Sequence, residues 1–136
     1  MIIPDWLAVY GNTEYRGQCP SETLEQVTFF GWVRREYPES LGRIAIHPRN
    51  EGKRHHAQVR TEKAEGMTPG APDIIIPGTP TFICELKRQD RTKSRWQPGQ
   101  VEYLASAQAM GAFVCVALGW EAAKEALQDW TSHQPS

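Results

Sequence analysis

The sequence lacks any run of about 18 apolar residues, so no membrane-spanning helix is expected. Only 3 cysteines occur, Cys19, Cys84 and Cys115. Their odd number and the absence of Cys-x-x-Cys spacing argue against a disulfide framework or a zinc ribbon, and favour small buried thiols in a reducing cytoplasm. Residues 1–7 have no basic stretch and are interrupted by Pro4 and Asp5, so a secretory leader is not expected. Internal repeats and low-complexity tracts are missing. Gly52-Lys53 lacks the glycine and Ser/Thr spacing of a nucleotide-binding loop. An excess of one charge sign is missing too: 15 Lys and Arg stand against 16 Asp and Glu.

What is present is a chain of 136 residues, 40% hydrophobic and 23% charged, which suits one domain with one core. The net charge of −1 conceals a polarised distribution. Residues 43–63 carry Arg43, Arg49, Lys53, Arg54, Arg60 and Lys63 against Glu51 and Glu62, and residues 87–95 carry Lys87, Arg88, Arg91, Lys93 and Arg95 against Asp90. Those two segments hold 11 basic and 3 acidic residues, leaving 4 basic and 13 acidic elsewhere. Such a molecule can turn a cationic face to phosphates while its other face stays acidic, although two solvated charged segments would give the same count.

Along the chain, residues 1–20 contain Pro4, Gly11, Gly17 and Pro20 and read as an irregular arm, followed by one domain over 21–130 and a frayed tail at 131–136. Ser21 with acids in the turn after it is a helix start, and Pro38 stops that helix near Tyr37; Phe29, Phe30 and Trp32 belong to its core side. Ile44 and Ile46 alternate in a short strand over Leu41 to His47. Lys53 to Glu65 is a polar helix ended by Gly66. Asp73 to Ile76 and Phe82 to Lys87 form a hairpin of strands. Pro98 to Met110 is a helix with Val101, Leu104, Ala105 and Gln108 as its face, Ala112 to Leu118 a strand, and Trp120 to Trp130 an amphipathic helix through Ala123, Leu127 and Trp130. This order predicts an α/β domain with a central mixed sheet flanked by helices on both faces.

The informative feature is where charge interrupts apolar strands, because unpaired buried charge is costly. Asp73 opens one strand. In Phe82-Ile83-Cys84-Glu85-Leu86-Lys87 the period of two puts Glu85 and Lys87 on one face. If the strands pair as a hairpin, Asp73 comes near Glu85, and two close carboxylates are kept ionised by a bound divalent cation, for which hard oxygen ligands favour Mg²⁺ or Mn²⁺. A carboxylate-held cation acidifies water and polarises a phosphoryl oxygen, while Lys87 orients the nucleophile or offsets the added charge. The competing structural reading makes Glu85 and Lys87 an exposed ladder pair and Asp73 a turn cap. His47, His55 and His56 read as surface residues rather than catalysts. Trp96 is open to base stacking, core packing or a dimer contact.

Gly70-Ala71-Pro72-Asp73 followed by Glu85-Leu86-Lys87 resembles the PD-(D/E)xK nuclease signature. With Glu22 and Gln26, the loop Asn50-Glu51-Gly52-Lys53-Arg54, Lys63-Ala64-Glu65-Gly66, Arg88, Gln97-Pro98-Gly99-Gln100, Gly111-Ala112 and Gly119-Trp120-Glu121, it is similar to the VRR-NUC group of that superfamily over residues 21–128. The loop reads Asn-Glu-Gly where Asn-Gly-Gly is expected, and Pro-Gly-Gln stands where Pro-Glu-Gln is commoner. The resemblance implies a restriction-endonuclease-like core and a metal-dependent DNA endonuclease of bacterial or phage-infected cells, with branched or four-way (Holliday) junction DNA among its substrates. It makes Asp73, Glu85 and Glu22, with the backbone carbonyl of Leu86, the metal ligands, Lys87 the catalytic lysine and Gln100 a supporting residue. Glu25, off the face shared by Glu22 and Gln26, is the competing acid. Asn50, Lys53, Arg54, Arg88, Lys93 and Arg95 are candidate DNA contacts. Cutting two strands calls for two sites, hence a homodimer, with the apolar face of 120–130 or the arm at 1–20 as interface. A non-catalytic DNA-binding or assembly module on the same scaffold, and a structural phage subunit, are the alternatives.

Overall fold

Six consecutive buried residues, Phe82–Lys87, form the strand around which the rest is arranged. In the computed structural model, which describes residues 1–48 and 56–134 with the side chains of 56–59 excepted, this strand is β3. It pairs antiparallel with β2 (Ile74–Ile76) and parallel with β4 (Phe113–Leu118), and β4 pairs in turn with β1 (Ala8–Tyr10). The sheet order is therefore β1-β4-β3-β2, mixed as expected.

The strand period divides β3 between two apolar clusters. Phe82, Cys84 and Leu86 join Phe29, Trp32 and Val33 of α1 (Glu22–Glu36) and Ala123, Leu127 and Trp130 of α5 (Trp120–Thr131). Ile83 joins Leu104 of α4 (Gln100–Ala109), Val114, Val116 and Leu7, with Tyr103 and Ala107 packed against them. Both faces of the sheet are thus covered. Of the face expected from Val101, Leu104, Ala105 and Gln108, Leu104 is buried as anticipated, while Tyr103 and Ala107 rather than Ala105 and Gln108 pack with it. Trp130 closes the first cluster with its ring centroid 5.3 Å from that of Phe82 and its Nε1 donating to the Pro80 carbonyl at 2.8 Å, the bond that lets an indole be buried. The apolar face of α5, one of the two interfaces anticipated for a dimer, is consumed inside the protomer.

Ser21 caps α1, its hydroxyl accepting from the Leu24 amide at 3.1 Å, and the chain leaves the helix at Tyr37 before Pro38. Two expectations are corrected here. Leu41–Ile44 is a short helix, α2, because the turn after Pro38 folds Gly42 tightly back against Tyr37 and Arg34; only Ile46 makes a sheet contact, an isolated bridge to Ile75. The arm is not irregular throughout, since Ala8–Tyr10 forms the edge strand β1; three residues are too few for a period to register. Tyr10 donates its hydroxyl to the Asp129 carboxylate, tying that edge to α5, and burial together with this partner pushes the phenol above its ordinary range. α3 (His56–Ala64) fits the polar helix, whose expected first residues, Lys53 to His55, lie outside the described residues. Cys84 and Cys115 are buried free thiols and Cys19 is half-buried and free.

The arm is fastened to residues 88–96. Arg88 donates to the carbonyls of Cys19 (2.7 Å) and Pro20 (3.0 Å), Arg91 to those of Met1 (2.9 Å) and Thr13 (3.1 Å), and Lys93 to that of Gly17 (2.8 Å). Asp90 completes the clasp by accepting from the Gly17 amide at 3.0 Å and from the hydroxyl and amide of Thr92 at 2.6 and 3.0 Å. Those donors hold the Asp90 carboxyl down to about 2, with Thr92 the main cause. A depressed carboxyl adds stability that is whole above the unfolded-state value near ~3.9 and is lost as pH falls toward the folded-state value. The melting temperature of Asp90→Asn should therefore fall below that of the wild type above about pH 4, the gap closing toward pH 2. A gap that stays constant across this range would remove the Asp90 charge from the clasp.

Candidate active site

The apolar face of β3 that begins at Ile83 continues as Glu85 and Lys87, both about 2% exposed or less. Carrying the β2–β3 register one residue past Ile74 and Cys84 sets Asp73 opposite Glu85. Asp73 is only half-buried, and its Oδ2 accepts from the Leu86 amide at 2.8 Å, a bond that fixes the carboxylate at the end of the hairpin. His47 helps from behind: its Nδ1 lies 2.8 Å from the Asp73 carbonyl and must donate, since a carbonyl can only accept. The sequence reading assigned no role to His47, and the isolated bridge at Ile46 that delivers it carries no sequence signal.

Gln100, the first residue of α4, joins the acid to the amine. Its Nε2 donates to Glu85 Oε1 at 3.2 Å, while its Oε1 accepts from Lys87 Nζ at 3.0 Å and from the Gln97 amide at 2.8 Å. The position of Gln100 depends on two glycines in contact. A Cβ on Gly70 would stand 2.1 Å from the Gly99 carbonyl carbon, and Gly99 has φ +89°, a left-handed conformation that side chains disfavour. The departure at Pro98-Gly99-Gln100 therefore has a local reason: this loop passes so close to the Pro69-Gly70 turn that glycine is required.

Lys87 Nζ has three N–H groups. Two reach the Arg95 carbonyl at 2.8 Å and Gln100, and Glu22 Oε1 lies 3.6 Å away on the remaining side. Glu22 projects from the first turn of α1 and is half exposed; burial is the main influence raising its carboxyl, with Lys87 opposing and Asp73 reinforcing. Glu25, the competing acid, goes elsewhere. It is buried, its Oε2 accepts from Gln89 at 3.2 Å, and it lies close against Gly119 at the start of α5, where burial raises its carboxyl while Gln89 and the Trp120 backbone oppose the rise. Glu22, Gln26, Asp73, Glu85, Lys87 and Gln100 line one cavity of about 410 Å³.

The electrostatics centre on Glu85. Desolvation first, then the charge of Asp73 and hydrogen-bond contact with it, push its carboxyl well above the ordinary range, with Lys87 opposing. With both acids ionised that contact has no proton, and Glu85 Oε2, which is buried, is then left without a hydrogen-bond partner among the described residues. Leaving such an atom unsatisfied costs about 1–3 kcal/mol or more. A divalent cation fits that donor set, because it accepts oxygen donors and reverses the repulsion between the acids. Leu86 adds to it. The Lys87 carbonyl accepts from Gly119 on the β4 side, so strand alternation turns the Leu86 carbonyl to the β2 side, where Asp73 is. Among the described residues no group of three or more His, Cys, Asp and Glu is spaced to enclose a metal by itself.

Of the candidate DNA contacts, Asn50, Lys53 and Arg54 lie outside the described residues, as does His55. Arg88 and Lys93 direct their donors to the arm, and Arg95 is exposed next to the cavity loop. Among the described residues no helix is long and apolar enough to cross a membrane.

No family model matches the sequence, and no curated protein matches it. Among solved structures the chain is similar to a VRR_NUC domain protein, with a TM-score of 0.65 and 20% sequence identity, covering 87% of this chain and 92% of that one. The molecule thus has the α/β, restriction-endonuclease-like fold of a VRR_NUC domain protein.

Proposed function

We propose that the chain is a nuclease of the VRR-NUC type, a divalent-metal-dependent DNA endonuclease that hydrolyses phosphodiester bonds. The observation that carries this reading is the buried Glu85 Oε2, without a hydrogen-bond partner among the described residues, beside Asp73 and with Lys87 on the same strand face. Asp73, Glu85 and the Leu86 carbonyl would hold the cation, with Glu22 across the cavity as a further oxygen ligand. When bound, the cation supplies a more acidic water and draws charge from the phosphoryl oxygens.

The chain's own residues account for the remainder. Lys87, fixed by the Arg95 carbonyl and Gln100, brings an ammonium to the cavity, where it stabilises the negative charge that grows on the phosphoryl oxygens during attack. Gln100 prevents the acid and the amine from collapsing onto each other by bonding both. His47 and the Leu86 amide hold Asp73 in place. DNA enters across the basic segments, with the exposed Arg95 offered to a phosphate and Asn50, Lys53 and Arg54 as further contacts. Branched or four-way junction DNA is the substrate we favour. Two strands need two sites, and a homodimer joined through the exposed Leu24, Val27, Ile44 and Ile46 would supply them.

Lys87→Ala should lower the rate of Mg²⁺- or Mn²⁺-dependent DNA cleavage by roughly 10²–10³-fold or more, and Asp73→Asn should do likewise, both with unchanged circular dichroism. Undiminished cleavage in excess chelator would sink the metal-dependent reading, and tight DNA binding with no cleavage on prolonged incubation would favour a non-catalytic module. Metal binding has its own readout. Mn²⁺ at about 100 times its dissociation constant should raise wild-type stability by ~2.7 kcal/mol, while Glu85→Gln, relieved of repulsion, should be at least as stable without metal and gain little with it. Equal gains in both proteins would show that Glu85 is not a ligand. Light scattering should give twice the chain mass at working concentration; a single-chain mass would remove the homodimer.

A further inference from the structure

Lys87 is held from behind as well as from the cavity. Its Nζ donates to the Arg95 carbonyl and lies 5.3 Å from the centre of the Trp96 ring, so two consecutive residues of one loop offer it an acceptor and a π face. A desolvated ammonium gains from both. The only regular structure between Arg88 and Trp96 is a single 3₁₀ turn, Arg91–Lys93, too short to keep the loop in place. The arm does so. Trp96 Nε1 donates to the Ile2 carbonyl at 2.7 Å, and the indole packs on the cluster that contains Leu7, together with Ile3 and Val9.

We propose that Trp96, latched by the Ile2 carbonyl, is a positioning residue that aims the Lys87 ammonium at the cavity, which makes residues 2–7 part of the catalytic apparatus at one remove. The proposal's catalytic consequence rests on the nuclease reading above; its structural content does not. The other use of a tryptophan beside basic residues is to stack on an unpaired base. The latch disfavours it, since the indole N–H is engaged and the ring is half-buried with Lys87 over it.

Two variants of the full chain separate the parts. Trp96→Phe keeps a ring face but cannot donate to Ile2, and Trp96→Leu has neither. The first assay is amine labelling of the metal-free protein read by mass spectrometry, with exposed Lys63 as internal reference and the thiol reactivity of Cys84 and Cys115 as a monitor of the sheet. Lys87 labelling should rise about tenfold in Trp96→Leu and by less in Trp96→Phe, with both thiols still protected. The second is DNA cleavage: kcat should fall roughly ten- to a hundredfold in Trp96→Leu at unchanged KM, with Trp96→Phe recovering part of it. Lys87 labelling at the wild-type rate in both variants overturns the proposal, as does a rise matched by thiol exposure. A raised KM at unchanged kcat also overturns it, making Trp96 a base-stacking contact. If the wild-type chain cleaves no DNA, the nuclease reading fails, and labelling still decides how Lys87 is held.

Discussion

A carboxylate and an ammonium, two residues apart on a strand buried on both faces, dictate most of what surrounds them. Glu85 and Lys87 touch solvent only through the cavity and are about 2% exposed or less, so each finds most of its partners within the protein. Lys87 has a full set: a backbone carbonyl, a side-chain amide oxygen and a nearby carboxylate. Glu85 has half of one, because Gln100 serves Oε1 and, among the described residues, no donor serves Oε2 once both acids are ionised. A core designed only for stability would replace the pair with apolar residues, as Ile83 does one step earlier on the same face; an acid with an unsatisfied oxygen beside a second acid is the arrangement that the proposed cation would stabilise.

Meeting those demands explains features that look unrelated in the sequence. Gln100 must present one side chain to two residues of β3, so α4 has to begin at that point, and it can begin there only if the loop before it lies against the Pro69-Gly70 turn. Hence glycine occupies both sides of the contact. Asp73 must be immobile to stand opposite Glu85, and it obtains this from the Leu86 amide and from His47. Glu22 and Glu25, three residues apart on α1, diverge to the cavity and to Gln89 beside the start of α5, so one helix start reaches two parts of the molecule.

Much of this was legible before any coordinates. Alternation in Phe82–Lys87, turn residues on either side of Ile74–Ile76 and the Ser21 cap point to the hairpin and to α1, because each is written in residues close together in sequence. Signals that fail are those carried by few residues or by distant ones. β1 has three residues and no period, and α2 was mistaken for a strand because Ile44 and Ile46 alternate by chance while only Ile46 pairs. The face of α4 was read correctly at Leu104 but not beside it, since Ala105 is as apolar as Ala107, which does turn inward. His47 is an unremarkable histidine until an isolated bridge places it against Asp73. The clasp of the arm joins residues some 70 to 90 positions apart through backbone carbonyls, which have no sequence identity to read.

That clasp changes how the basic segment works. Taken as a string of letters, Arg88, Arg91 and Lys93 are free cations awaiting phosphates; in the fold their donors go to carbonyl oxygens of the arm. A carbonyl is a dipole without net charge, so it satisfies the N–H groups and leaves the positive charge intact. Their field therefore still points outward, from positions fixed by the arm and next to the loop that carries Arg95 and Trp96. Fixed cations lose less entropy when a polyanion approaches than mobile ones that must first be ordered. The same hydrogen bonds that hold the arm to the domain thus set both the direction of Lys87 and the place from which the surrounding charge acts.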